Sequence, residues 1–471
     1  MSTYKDNLCQ LIVPKQEFYD IGLSILDEVK GSPDWGKKYV AGLKQKENKL
    51  YEASYALNGL NFKKFSDSEL LKVYEDYYHI YGELHIYHWI QTALDFDENV
   101  FSKYLMAYLK DRVKGTQYSL GDVFSVLTTP TEEAKPTEEY RDLLLIFKDI
   151  ASRPELKRYF ISTETRIIVR ELPRIDKGVT ARIEKHAAEF GFLGYGTAGP
   201  AWDAAYFIDI LSSLARQQSE PDRLLADFEN NRRQIESRQR QLESDLKLDS
   251  DHIHIFQFAR DLVFTKGSRK DCMFHSYSVI ENLFKEIGQR RYLSLRQVRY
   301  LHPHEFRKLL VDDKFPISIL NERYQFSLNF STGRFEEDLN LTGDKARAFI
   351  DSLDIIQEDI SNIKILYGDC ASPGRVRGEV KIINTPEDMA KMNKGDILVS
   401  FATTPDLVPA IKKAAAIITD AGGITCHAAI ISRELGVPCV VGTKIATKVL
   451  HDHDIIDVNA THGKVDIIKK K

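Results

Sequence analysis

Cysteine is scarce in this chain and patternless. Cys9, Cys272, Cys370, Cys426 and Cys439 are an odd, scattered set without a CxxC pair, so neither a disulfide framework nor a zinc knuckle is indicated. They read as reduced thiols. No run of about 18 apolar residues offers a membrane span, and the opening MSTYKDNLCQ lacks the charged-then-apolar layout of a signal peptide. A cytosolic protein with no membrane association is therefore expected. There is no basic excess either. The net charge is -4, and the closing Lys469-Lys470-Lys471 run is too short to argue for nucleic acid. What is present is an ordinary globular composition. With 43% hydrophobic residues in 471, the chain has material for roughly two to four domains with substantial cores.

From residue 1 to about 350 the pattern is helical, with apolar residues three and four apart, as in Leu70, Leu71, Tyr74, Tyr77, Tyr78, Tyr81 and His85. The stretch from Gly121 to Pro136, containing Thr128-Thr129-Pro130, reads as a loop within it. From Pro221 to Leu248 the chain is densely charged, with Phe228, Ile235 and Leu242 seven apart. Arg232 and Gln239 occupy the companion column, so there is one apolar seam, fitting a long exposed helix better than a full coiled coil. The aromatic set Tyr74, Tyr77, Tyr78, Tyr81, His85, His88 and Trp89 has helical spacing. It reads as core before it reads as a pocket for an aromatic acceptor.

The chemistry concentrates in TDAGGITCHAAIISRELGVPCVVGT, from Thr419 to Thr443. A short apolar run from Ala415 to Thr419 ends in Asp420. Gly422 and Gly423 then supply a permissive turn, and Thr425 is a good N-cap for a helix carrying His427 to Leu435. Unpaired N–H groups and the positive dipole end at such a helix start attract an anion. The same field disfavours imidazolium, and a neutral imidazole keeps the lone pair that can attack phosphorus. Gly436 is placed to end the helix, with Pro438 soon after. A lone histidine at a helix start is, on spacing alone, more often a satisfied polar residue. Cys426 reads as an apolar filler before it reads as a reactive thiol. His451, His453, Asp454 and His462 have ligand chemistry for a transition metal, but they fall in a polar turn, and no metal site is assigned.

From Gly368 to about Lys469 the chain resembles the mobile phosphohistidine domain of the PEP-utilising enzymes, the group that includes phosphoenolpyruvate synthase, pyruvate phosphate dikinase and rifampicin phosphotransferase. The likeness is carried by Ala371-Ser372-Pro373-Gly374 with Gly378, by Gly395-Asp396-Ile397-Leu398-Val399, by Thr404-Pro405-Asp406 and by the GGITCHAAIISRELGVPCVVGT core. It implies that His427 takes a phosphoryl group from a nucleotide domain and delivers it elsewhere. It also implies phosphate-binding roles for Gly422, Gly423, Thr425 and Arg433, Arg433 by pairing with phosphate or an acidic docking surface. Two departures bear on turn geometry. Asp452-His453-Asp454 stands where the family usually has Asp-Gly-Asp, and Asn459-Ala460 where Asp-Gly is common. A looser likeness links GFLGYGTAGPAWD, from Gly191 to Asp203, to a loop in the helical domains of rifampicin phosphotransferase and similar enzymes. It makes His186, Trp202 and Asp203 acceptor-site candidates. The stretch Ala259 to Leu310 is similar to the helical part that precedes the mobile domain, and its Arg260, Lys266, Arg269 and Lys270 read by default as a solvated face.

The expected architecture is multi-domain. A large, mostly α-helical N-terminal region over residues 1–350, able to hold two subdomains, leads through a linker over 351–367 to a swivelling β/β/α phosphohistidine domain over 368–471. No ATP-grasp signature is found, and Lys471 follows His427 too closely for a PEP-binding barrel of at least ~200 residues. Holding a leaving diphosphate takes metal and cationic groups that one histidine domain does not supply. The resemblance therefore implies an ATP-grasp nucleotide-binding partner in trans, as in phenylphosphate synthase. This chain itself would bind no cofactor, Mg and ATP would come through the partner, and a small molecule would be the phosphoryl acceptor. The alternatives are a non-catalytic regulatory or docking module, or a fragment of a longer split or fused enzyme.

Overall fold

The computed structural model describes residues 2–5, 8–95, 99–196, 199–216, 218–330, 339–353, 363–403, 407–421 and 427–471. The chain divides into two compact units, one of Met1–Ile21, Leu43–Trp89 and His275–Asp359, the other of Gly22–Gly42, Ile90–Phe274 and Ile360–Lys471. Among the described residues no helix is long and apolar enough to cross a membrane.

The first unit is mostly helical, as the periodicity predicts, but it also holds a sheet. Strands β1 (Ser2–Lys5), β2 (Leu8–Leu11), β3 (Ser327–Phe330) and β4 (Leu339–Thr342) pair antiparallel in the order β2-β1-β3-β4. Helical spacing could not reveal it, because Thr3 pairs with Leu328 across most of the chain. Of the aromatic set, Tyr74 and Tyr77 are buried. Tyr74 stacks on Phe306 at 3.7 Å, and the Tyr77 hydroxyl lies 3.0 Å from Ser276 Oγ. Burial, reinforced by the neighbouring Tyr78, Tyr77 and Tyr81, pushes the Tyr74 phenol well above its ordinary value. Trp89, on the same helix Asp67–Leu94, is exposed. The reading as core thus holds for one part of the stripe.

In the second unit, helices from Lys135–Ala151 to Ala204–Arg216 enclose a core of Leu144, Phe147, Ile150, Phe160, Ile168, Phe207 and Leu211. The loop expected over Gly121 to Pro136 is shorter than that. Ser119 caps a helix, Leu120–Thr128, by accepting from the Asp122 N–H, and Lys135 opens the next. Four apolar residues, Leu120, Val123, Phe124 and Leu127, sustain that helix where the turn-forming Thr128-Thr129-Pro130 draws the eye. The charged helix Pro221–Asp245 forms as expected. Gln239 is buried in it, its amide donating to the carbonyls of Val126 and Thr129 at 2.8 Å each.

The C-terminal part of this unit is an eight-stranded sheet in the order β5-β12-β11-β7-β8-β9-β10-β6. The strands are β5 (Ile365–Tyr367), β6 (Asp369–Ser372), β7 (Arg375–Ile382), β8 (Ile397–Ser400), β9 (Ala416–Thr419), β10 (Cys439–Val441), β11 (Ile455–Asn459) and β12 (Lys464–Lys469). Strands β7 to β10 run parallel, and the others pair antiparallel. Every residue of β8, β9 and β10 is buried, as parallel strands covered on both faces require. β11 alternates instead. Short helices, Val408–Ile411 and His427–Leu435, carry the chain from β8 to β9 and from β9 to β10.

Candidate functional site

Strand β9 delivers the chain to the carboxyl edge of the parallel strands, and there Asp420 is the organising residue. It is 3% exposed. Its carboxylate accepts the Thr447 N–H at 3.1 Å to both oxygens, the Thr447 hydroxyl, and the Thr443 hydroxyl at 3.1 Å. Charge-assisted bonds of this kind are the strong ones. Along the backbone, Asp420 N–H donates to Ser400, Ala421 N–H to Phe401, Thr443 N–H to Thr419 and Lys444 N–H to Asp420. Asn384 braces the other side, its side-chain oxygen accepting the Phe401 N–H at 2.8 Å and the Ser400 hydroxyl at 3.2 Å. The ends of β8, β9 and β10 are thus one hydrogen-bonded ledge.

From Ala421 the chain leads to His427. Gly422, Gly423, Thr425 and Cys426 lie outside the described residues, as does the His427 side chain. Its backbone is described, and it opens the nine-residue helix His427–Leu435, the span expected from the sequence. Ala428, Ala429 and Ser432 turn inward and are buried, their small side chains letting the helix lie close on the sheet. Gly436 ends it at φ +64, and the Val437 N–H returns to the Ser432 carbonyl at 2.9 Å, as a glycine C-cap does. Arg433 Nε donates to the Ala371 carbonyl at 2.7 Å, so this guanidinium holds backbone on β6.

The acceptor-site candidates lie among the helices of the same unit. His186 is buried, with Nδ1 2.7 Å from Asp142 Oδ2 and Nε2 3.0 Å from Glu139 Oε1. Burial opposes its protonation, yet the two carboxylates outweigh that and hold its pKa above the ordinary value. Trp202 stacks on Tyr206 at 4.5 Å. Asp203 accepts the Tyr206 N–H at 3.0 Å, at the start of helix Ala204–Arg216. His186 and Trp202 meet through Phe207, whose ring lies 4.5 Å from the imidazole and 6.1 Å from the indole.

Two of the four basic residues read as a solvated face are buried. Arg260 donates to Gln257, Glu243 and the Leu127 carbonyl, and Arg269 to Gln91 and Met273. They join helix Ser250–Arg291 to its neighbours. In the histidine-rich turn, Asp454 is 1% exposed, its oxygens accepting the His451 and Lys471 N–H groups. His453 Nδ1 lies 2.6 Å from Glu379 Oε1. Those side chains build the turn. Among the described residues no group of three or more His, Cys, Asp or Glu is arranged to hold a metal ion.

Residues 392–463 match the family model described as PEP-utilising enzyme, mobile domain. That segment includes the ledge, His427 and the glycine-capped helix. A probable phosphoenolpyruvate synthase of Archaeoglobus fulgidus is 54% identical over 110 residues, 23% of this chain and 15% of that protein. Another, from Pyrococcus abyssi, is 37% identical over 183 residues, 37% of this chain and 22% of the relative. Among solved structures, Enzyme I aligns with 42% of this chain and 54% of its own at 13% identity and a TM-score of 0.16. The matches thus span less than a quarter of the curated relatives' length.

Sequence reasoning placed the helix that His427 opens and its capping glycine. It gave no role to Asp420, Thr443, Thr447 or Asn384. The sequence offered only a carboxylate at a strand end and, beyond the next strand, two threonines, Thr443 and Thr447, with no local pattern to join them.

Proposed function

We propose that this chain is a phosphotransferase component that carries a phosphoryl group on His427. The observation behind the reading is the position of His427 as first residue of a helix at the carboxyl edge of buried parallel strands, inside the segment that matches the mobile-domain model. A helix start favours the anionic group being transferred. A histidine nitrogen attacks the γ-phosphorus of ATP and forms an N–P bond as the P–O bond to the leaving ADP breaks. In the second step an acceptor oxygen attacks the same phosphorus, and the N–P bond breaks to return the imidazole. Gly422, Gly423, Thr425 and Arg433 serve the phosphate. Mg and ATP are held by an ATP-grasp partner in trans, the sheet domain swivels about the linker that precedes β5 between the two steps, and the helical region around His186, Trp202 and Asp203 receives a small-molecule acceptor. The setting is cytosolic.

The test is incubation of the chain with Mg and ATP labelled at both its β and γ phosphates, with and without candidate ATP-grasp proteins. Acid-labile label on His427, absent from His427→Ala, is the expected outcome. Label that persists in His427→Ala overturns the assignment. Transfer of label onward to a small molecule separates an enzyme component from a docking module.

A further inference from the structure

We infer that Asp420 is a positioning residue for His427. The inference rests on the phosphocarrier reading above and deepens it. A carboxylate that is 3% exposed must be compensated, and here, among the described residues, its hydrogen bonds tie the departure point of the histidine segment to an element beyond β10. Thr443 follows β10, and Thr447 lies in the first turn of helix Ala446–Val449. The Thr443 hydroxyl bridges further, reaching the Thr419 carbonyl at 2.9 Å. Two backbone bonds, Thr443 N–H to Thr419 at 3.0 Å and Lys444 N–H to Asp420 at 2.9 Å, run beside these side-chain contacts. Lys444 sits at φ +66, a conformation that costs a non-glycine residue energy and persists where its surroundings over-determine it. The clamp is therefore stiff at the residue before the chain leads to the nucleophile. Phosphoryl transfer depends on the attacking atom's placement, and a displacement of about 1 Å costs up to about 100-fold in rate. Among the described residues the Asp420 carboxylate meets Thr443 and Thr447. It sets where the histidine segment begins.

Phosphoramidate tests this in the intact chain without any partner: the imidazole nitrogen attacks its phosphorus, an N–P bond forms, and the P–N bond to departing ammonia breaks. The variants are Asp420→Asn, Thr447→Val and Thr447→Ser, and modification of His427 is followed by mass spectrometry. The histidine ring resonances are followed by NMR in ¹⁵N-histidine protein, with His427→Ala assigning the signal. Asp420→Asn and Thr447→Val should react about 10- to 100-fold more slowly at His427 and shift its ring resonances, whereas Thr447→Ser, keeping the hydroxyl, should match the wild type. If Asp420→Asn does not fold, the Thr447 pair decides. Wild-type rate and unshifted resonances in Asp420→Asn or Thr447→Val overturn the inference, as does a Thr447→Ser that fails like Thr447→Val. A chain whose His427 reacts in no form, wild type included, sinks the phosphocarrier reading instead, while the ring resonances still judge Asp420.

Discussion

Arg433 Nε donates to the carbonyl oxygen of Ala371 across 2.7 Å, tying the helix that His427 opens to strand β6 at the edge of the sheet. A guanidinium spent on a backbone carbonyl contributes to stability whatever it does for phosphate. Arg433→Met keeps the apolar stem and removes the donor, and hydrogen bonds to charged groups contribute about 1.5–3 kcal/mol. Urea unfolding should show a loss of that order. An unchanged midpoint would leave the side chain to phosphate or docking alone.

His453 occupies the middle of Asp452-His453-Asp454 at φ +79, where a glycine adopts the conformation freely. The left-handed backbone costs a side-chain-bearing residue about 1–2 kcal/mol. The contact to Glu379 offsets part of that here, although such an exposed pair contributes only about 0–1 kcal/mol. His453→Gly should therefore leave stability within about 1 kcal/mol of wild type, because the strain relieved balances the pair lost and the chain entropy gained. His453→Val keeps the strain, loses the pair and adds β-branching, and should cost about 1–2 kcal/mol. Equal unfolding midpoints for the two variants would show that the backbone at this position is not strained.

Local signals were legible wherever one short segment contains all the causes. Ala415 to Gly436 states a strand, a glycine turn, a helix and its cap within one stretch, and β9 and helix His427–Leu435 appear where the residues say. The helical periodicity of the first 350 residues was equally plain. Pairings between distant segments were not legible. The β1–β3 ladder joins Thr3 to Leu328, and neither four-residue strand is long enough to show alternation. The Asp420 clamp escaped for a related reason. Aspartate at a strand end is usually solvated, and only the fold brings Thr447 over it. Burial of Arg260 and Arg269 likewise depends on Glu243, Leu127 and Gln91, supplied by other helices.

Gly374, in the Ala371-Ser372-Pro373-Gly374 segment, sits at φ +142 with the Pro438 ring where a side chain would go. A Cβ there falls 2.6 Å from Pro438 Cγ. A proline ring cannot swing aside, and Gly374 is also fixed by its N–H to Thr461 Oγ1 at 3.0 Å and its carbonyl to the Ala460 N–H at 2.9 Å. Gly374→Ala should cost about 2 kcal/mol or more through overpacking and backbone strain together. Gly395→Ala is the control. It has φ +98 with nothing within 4 Å of its Cβ, so it meets the backbone term alone. Equal losses in the two variants would mean that contact with Pro438 contributes nothing.

His186 makes the stability of the second unit depend on pH. Its folded pKa is held above the ordinary 6.5 although burial pulls the other way, because Glu139 and Asp142 grip both ring nitrogens. The folded state thus binds the proton more tightly than the unfolded chain. Stability from this clamp is complete below about pH 6.5 and drains away as pH rises through the folded value. Tyr206, which feels the same Glu139 charge, has its phenol pushed up to about 12 by burial and that charge, so it does not titrate in the window. Urea midpoints taken from about pH 6 to about pH 9 should fall in the wild type, and His186→Gln should flatten the slope over that range. A wild-type midpoint that rises with pH would mean that burial wins and that the ring is neutral between its two acids.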